Sequence, residues 1–106
     1  MVIVRSMDEA EYRQSRLCRL LGNPVAFTVV RLLAEGKEMN TSEIARAAGR
    51  SVSRISNILG ALRLAEVVRY ETRGTRAQYR LKHSREIQKV LDALAVFVKS
   101  ASPTHR

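Results

Sequence analysis

The stretch Thr41-Ser42-Glu43-Ile44-Ala45-Arg46-Ala47-Ala48-Gly49-Arg50-Ser51-Val52-Ser53-Arg54-Ile55-Ser56-Asn57-Ile58-Leu59-Gly60-Ala61-Leu62-Arg63 reads as two helices joined by a glycine turn. Asn40, with Glu43 three residues on, predicts a capping box for the first, whose inward face is Ile44, Ala45 and Ala48. Gly49-Arg50-Ser51 makes a tight turn, and Ser51 caps a second helix over 52–64. Ile55, Leu59 and Leu62, spaced four and then three apart, form its buried stripe. Ser53, Arg54, Ser56, Asn57 and Arg63 fall elsewhere around the helix, mostly outward. Serine and asparagine are weak helix formers, so solubility alone does not account for that outer face. A helix that docks by an apolar stripe and offers short hydrogen-bonding groups opposite fits a DNA major groove.

Working outward, Asp8 opens a helical pattern carrying Tyr12, Leu17, Leu20 and Leu21. Gly22-Asn23-Pro24 stops it and starts another, with Asn23 as N-cap and Pro24 in the first helical position. That second helix runs to about Glu35 on a face built from Phe27, Val30 and Leu33, and Gly36 ends it. Downstream the period changes. Val68, Tyr70 and Thr72 alternate with Arg69 and Glu71, and 78–81 also look extended. Thr72-Arg73-Gly74-Thr75 lies between them as a hairpin turn, with arginines Arg73 and Arg76 beside the glycine and Arg69 and Arg80 on the strands. From about Ser84 a last amphipathic helix carries Ile87, Val90, Leu91, Leu94, Phe97 and Val98, and the tail from Ser100 is expected to fray. No linker, repeat or low-complexity stretch divides the chain. The expected fold is mainly α with a β-hairpin wing: a single winged helix-turn-helix domain over 1–106, in the order α-α-α-α-β-β-α, with the helix-turn-helix at 41–64 and the wing at 67–82.

The charge is concentrated where that motif lies. The chain of 106 residues carries +9, yet residues 1–49 and 86–106 contribute only +1 each. Arg50 to Arg85 holds nine basic residues against Glu66 and Glu71, a net +7. Fifteen of the nineteen basic residues are arginines, whose planar fork suits phosphate and guanine edges. The candidate DNA contacts are Arg50, Ser51, Ser53, Arg54, Ser56, Asn57 and Arg63 on the turn and helix, with Arg73 and Arg76 at the wing tip. The competing reading of the wing is a charged hairpin that resists edge aggregation.

These residues resemble a family. Leu17-Cys18-Arg19-Leu20-Leu21-Gly22-Asn23-Pro24, then Val29-Val30-Arg31-Leu32-Leu33, is similar to the "LxxLxNPxRxxILxLL" opening of ArsR/SmtB-type repressors. Ser51 to Leu59 resembles their recognition-helix run, and Val67-Val68-Arg69-Tyr70 to Tyr79-Arg80-Leu81 their wing. The likeness spans about residues 15–82 in unbroken order. Val52 departs from it where glutamine is common, as do Asn57 and Ile58 where histidines often stand. The resemblance implies a homodimer paired through its first and last helices, 8–21 and 84–100. It also implies double-stranded DNA with an inverted-repeat operator as the partner, with Ser53, Arg54, Ser56 and Asn57 meeting bases. Many relatives sense metals. The positions matching their thiolate site are Asn40 and Ser42, and those matching their last-helix site are His83, Arg85, Val96 and Lys99. Most of these bind divalent ions poorly, so neither a metal nor another cofactor is expected.

The single cysteine, Cys18, excludes a disulfide framework. Among leucines it reads first as a small core hydrophobe; the sharper alternative is a redox-active thiol near the two-fold axis. His83 is expected at a strand-to-helix junction and His105 in the tail, and no nucleophile constellation forms, so an enzyme is not expected. Residues 1–6 are too short and mixed for a secretion signal, and no apolar run approaches a membrane span. The chain is therefore expected to be cytoplasmic. A sequence-specific repressor is the leading function. The alternatives are an RNA- or ribosome-associated binder, which usually needs exposed stacking aromatics, and an adaptor for an acidic protein. The five aromatics here fall mostly on expected apolar faces, against the RNA reading.

Overall fold

The computed structural model describes residues 7–101; the expectations for residues 1–6 and for the tail beyond Ala101, His105 included, lie outside them. The elements are α1 (Glu9–Leu21), α2 (Pro24–Leu33), α3 (Thr41–Ala48), α4 (Val52–Leu64), β1 (Val68–Arg73), β2 (Arg76–Leu81) and α5 (Ser84–Ala101). This is the expected α-α-α-α-β-β-α order of a winged helix-turn-helix.

Local chemistry sets the helix starts. At α1, Asp8 accepts from the Glu11 amide at 2.8 Å while Glu11 reaches back to the Asp8 amide, closing a capping box. At α2, Asn23 Oδ1 accepts from the amides of Val25 and Ala26, and Pro24 needs no partner at the first position. At α3, Asn40 and Glu43 form a second capping box at 2.9 and 2.8 Å. At α4, Ser51 Oγ accepts from the Arg54 amide at 3.1 Å. Gly49 ends α3 with φ +67°, a left-handed turn that lets Arg50 N–H return to the Ala45 carbonyl at 3.0 Å. Few other residues adopt that φ without strain, so the turn between α3 and α4 depends on this glycine.

The core is one cluster. Val25, Ala26, Val29, Val30 and Leu33 of α2 meet Ile44 and Ala45 of α3 and Ile55, Ile58, Leu59 and Leu62 of α4. Val67, Val68, Leu81, Ile87 and Leu91 complete it from the wing root and the start of α5. Ile58 joins the expected stripe, so four of the thirteen residues of α4 are buried and most of the others face out.

The wing differs from expectation at its tip. Arg73 stays in the ladder opposite Arg76, leaving a two-residue loop, Gly74-Thr75, rather than a turn that begins at Thr72. Gly74 takes φ +65°, and a short loop with positive φ at its first position matches the twist of the strands. Met39, just before α3, adds a bridge to Tyr79 through two backbone hydrogen bonds of 3.1 and 2.8 Å. Helix α2 ends at Leu33 with Ala34 as its cap, slightly short of Glu35, and α5 includes Ser100 and Ala101 rather than fraying there. Among the described residues no helix is long and apolar enough to cross a membrane.

Candidate nucleic-acid interface

The α3–α4 turn and the outer face of α4 carry Arg50, Ser51, Ser53, Arg54, Ser56 and Asn57, all exposed. They lie opposite Ile55, Ile58, Leu59 and Leu62, so docking of the apolar side aims the polar side at solvent. Ser51 spends its acceptor on the cap, and the Arg50 guanidinium donates to the Gly49 carbonyl at 3.2 Å. Among the described residues no carboxylate pairs with Arg50, Arg54 or Arg76. These three are cations held ready at the surface.

Arg63 and Arg73 are differently engaged. The Arg63 guanidinium lies over the Tyr70 ring at 5.2 Å, and Tyr70 packs on Tyr79 at 5.3 Å between centroids. The end of α4 is thus tied to the wing by a cation–π contact. Arg73 pairs with Glu38 at 3.0 Å and approaches Glu71 at 3.8 Å; Arg80 lies 3.9 Å from both carboxylates. The sequence pattern puts Arg73 and Arg80 on the wing but does not reveal their partner Glu38, which comes from the α2–α3 loop. Its only local signal is an acid two residues before a helix cap.

Two expectations need correction. Cys18 is exposed rather than buried: α1 packs on α2 with a narrow face, and position 18 lies outside it. The aromatics are also less covered than expected. Tyr12, Tyr70 and Phe97 are exposed, because the first turns of α1 and the end of α5 lie outside the core and Tyr70 lies at a sheet edge. Tyr70 is nevertheless occupied by Arg63, and Tyr12 by Arg16 at 5.9 Å.

The metal-site positions are scattered in role. Asn40 is buried and committed to its capping box, and Ser42 is exposed on α3. His83 is exposed at the β2–α5 junction as expected, its carbonyl accepting from the Ile87 amide. Arg85, Val96 and Lys99 are exposed along α5. Among the described residues no three His, Cys, Asp or Glu side chains gather.

The chain is 34% identical over 76 residues to the HTH-type transcriptional regulator KmtR of Mycobacterium tuberculosis, a match over 72% of this chain and 58% of that protein. The chain thus spans less than two thirds of this relative. No protein-family model matches it. Its fold is that of the homodimeric winged helix-turn-helix DNA-binding domain (residues 1–100) of Mycobacterium bovis Mb0332, a possible ArsR-family transcriptional regulator. That likeness has a TM-score of 0.74 at 22% identity and covers 96% of this chain and 100% of the other. The chain thus has the winged helix-turn-helix fold of a possible ArsR-family regulator. The fold is shared also with Mycobacterium tuberculosis Rv0081, with a TM-score of 0.76 at 23% identity over 89% and 96% of the two chains. The exposed α4 face occupies the recognition-helix position of a winged helix-turn-helix.

Proposed function

We propose that the chain is a sequence-specific DNA-binding repressor that grips an inverted-repeat operator as a homodimer. The observation that carries this reading is the outer face of α4: exposed Ser53, Arg54, Ser56 and Asn57 on a helix locked by an apolar stripe, beside a basic hairpin. Arg54 and Asn57 supply base-edge contacts, since these side chains bond guanine and adenine edges. Arg50, Ser51, Arg73 and Arg76 supply phosphate contacts. Arg63, stacked on Tyr70, sets the angle between helix and wing. The competing RNA reading needs free stacking aromatics. Tyr70 and Tyr12 each already carry an arginine against the ring, and exposed Phe97 lies on the apolar outer half of α5, not on the basic hairpin or the α4 face.

The homodimer is supported by what a single chain leaves uncovered. Ile87 and Leu91 bury the first half of α5, while Leu94, Val96, Phe97 and Val98 of its second half are exposed. A groove of about 1070 Å³ between α1 and the end of α4 is lined by Tyr12, Leu17, Leu20, Ala61 and Leu64. Leu64 there is 85% exposed. Pairing through α1 and α5 would cover much of this surface and set two copies of α4 about one DNA turn, roughly 34–36 Å, apart. The homodimeric Mb0332 domain supplies the precedent. Of the familiar metal positions, Asn40, Ser42, Arg85, Val96 and Lys99 bind divalent ions poorly and His83 alone is a good ligand, which supports release by something other than metal binding at those sites.

Selection from a pool of random duplexes with purified protein, followed by sequencing, tests the reading. Recovery of one two-fold symmetric motif is the expected result. Retention of the pool without enrichment, or preference for RNA in competition, would overturn it.

A further inference from the structure

We infer that Glu38 is a built-in counterion of the wing, holding Arg73 against the protein until a DNA phosphate displaces it. This rests on the DNA-binding reading above. The hairpin offers four arginines, Arg69, Arg73, Arg76 and Arg80, with Glu71 as its only acid. Glu38 arrives from outside the hairpin and changes that balance. Its Oε1 lies 3.0 Å from Arg73 Nη2, and its Oε2 lies 3.9 Å from Arg80 Nη1. With Glu71 at 3.8 and 3.9 Å from the same two arginines, two cations and two anions form a locally neutral cluster. Among the described residues no carboxylate pairs with Arg69 or Arg76, which remain as the wing's free charge.

Glu38 is not on a wandering loop. Its neighbour Met39 exchanges both backbone hydrogen bonds with Tyr79 of β2, and the next residue, Asn40, is the cap of α3. The carboxylate is therefore placed by backbone between the wing and the helix-turn-helix, and it is the less exposed partner, at 30% against 60% for Arg73. An exposed arginine held this way exchanges readily, because a phosphate oxygen offers the same charge-assisted bond as a carboxylate. After the exchange Glu38 stays beside the phosphate and repels it. The effect is to weaken the sequence-independent part of binding, which a chain of +9 otherwise has in excess, while α4 is untouched.

The test is fluorescence anisotropy of the full chain on the selected duplex and on a random-sequence duplex, across a salt series. Glu38→Gln should bind both duplexes tighter at low salt, on the order of threefold to tenfold, with a salt slope steeper by about 1. Glu38→Asp, which keeps the charge, should stay close to the wild type. In an Arg73→Ala background the gain from Glu38→Gln should shrink or vanish. Unchanged or weaker binding by Glu38→Gln overturns the inference, as does a gain of equal size without Arg73. A wild type that binds its duplex while Glu38→Gln behaves identically sinks this inference alone. A wild type that binds no duplex sinks the DNA-binding reading and this inference together.

Discussion

Glu66 has φ +65°, a left-handed conformation that non-glycine residues avoid, and there the chain turns out of α4 toward β1. Its side chain bonds Lys82, next to the wing root, and that hydrogen bond and charge hold the Glu66 carboxyl below its ordinary value. A carboxylate whose pKa is lower folded than unfolded stabilises the fold above the unfolded value, about 4.3, and loses that contribution as pH falls through the folded one. Glu66→Gln should therefore unfold at lower urea than wild type at pH 7, and the gap should narrow as pH falls below about 4. A gap that is constant with pH would show that the ion pair is not its source. On α4 the residues divide differently. Arg54→Ala and Asn57→Ala should each relax base preference, by ~1–3 kcal/mol where the contact is bidentate. Arg76→Ala should weaken binding to all duplexes alike and lower the salt slope by about 1. Equal losses on selected and random DNA for Arg54→Ala and Asn57→Ala would place both among the phosphate contacts.

Helix α4 combines a strong start with a weak middle. Ser51 caps it, but Gly60 sits in its interior with ordinary helical φ and open space where a Cβ would stand. Gly60→Ala should stabilise the protein by about 0.5–1 kcal/mol, read from the urea midpoint, because glycine loses more backbone freedom on folding. A loss of stability would mean that Gly60 serves packing in the dimer. Helix α3 has the opposite character. It has eight residues, too few to persist alone, and depends on the Asn40–Glu43 box and on burial of Ile44. Asn40→Ala should cost about 1–2 kcal/mol, since it removes the cap and leaves a half-buried amide without its acceptor.

At the scale of the molecule, the radius of gyration is 16.4 Å, against about 13 Å for a compact chain of about 100 residues. The excess is in keeping with the first turns of α1 and the outer half of α5, which extend beyond the core and leave Tyr12, Leu94, Val96 and Phe97 exposed. Sedimentation should show a dimer at micromolar concentration, and Phe97→Asp with Leu94→Asp should shift it to monomer and weaken operator binding. A wild-type monomer with full DNA affinity would refute the two-fold arrangement. Because the metal-site positions hold few ligands, stoichiometric zinc, nickel, cadmium or arsenite should leave operator affinity within about threefold. Loss of binding at one ion per dimer, abolished by Cys18→Ser, would show that the exposed thiol completes a site across the interface.

What the sequence determined by itself is what lies within a few residues along the chain. Asp8, Asn23-Pro24, Asn40–Glu43, Ser51 and Gly49 mark the helix ends, because a cap is a contact between residues two to four apart. Periodicity then separates the buried stripe of α4 from its outer face, and the helix-turn-helix and most of the candidate site follow from that. Only the tertiary structure decided the rest. The exposure of Cys18 depends on which face α1 turns to α2, and the uncovered aromatics on which elements lack a neighbour. The stacking of Arg63 on Tyr70 and the pairing of Glu38 with Arg73 join residues 7 and 35 positions apart. No local pattern records such meetings, because they arise when the hydrophobic core closes and brings the wing against α4 and the α2–α3 loop.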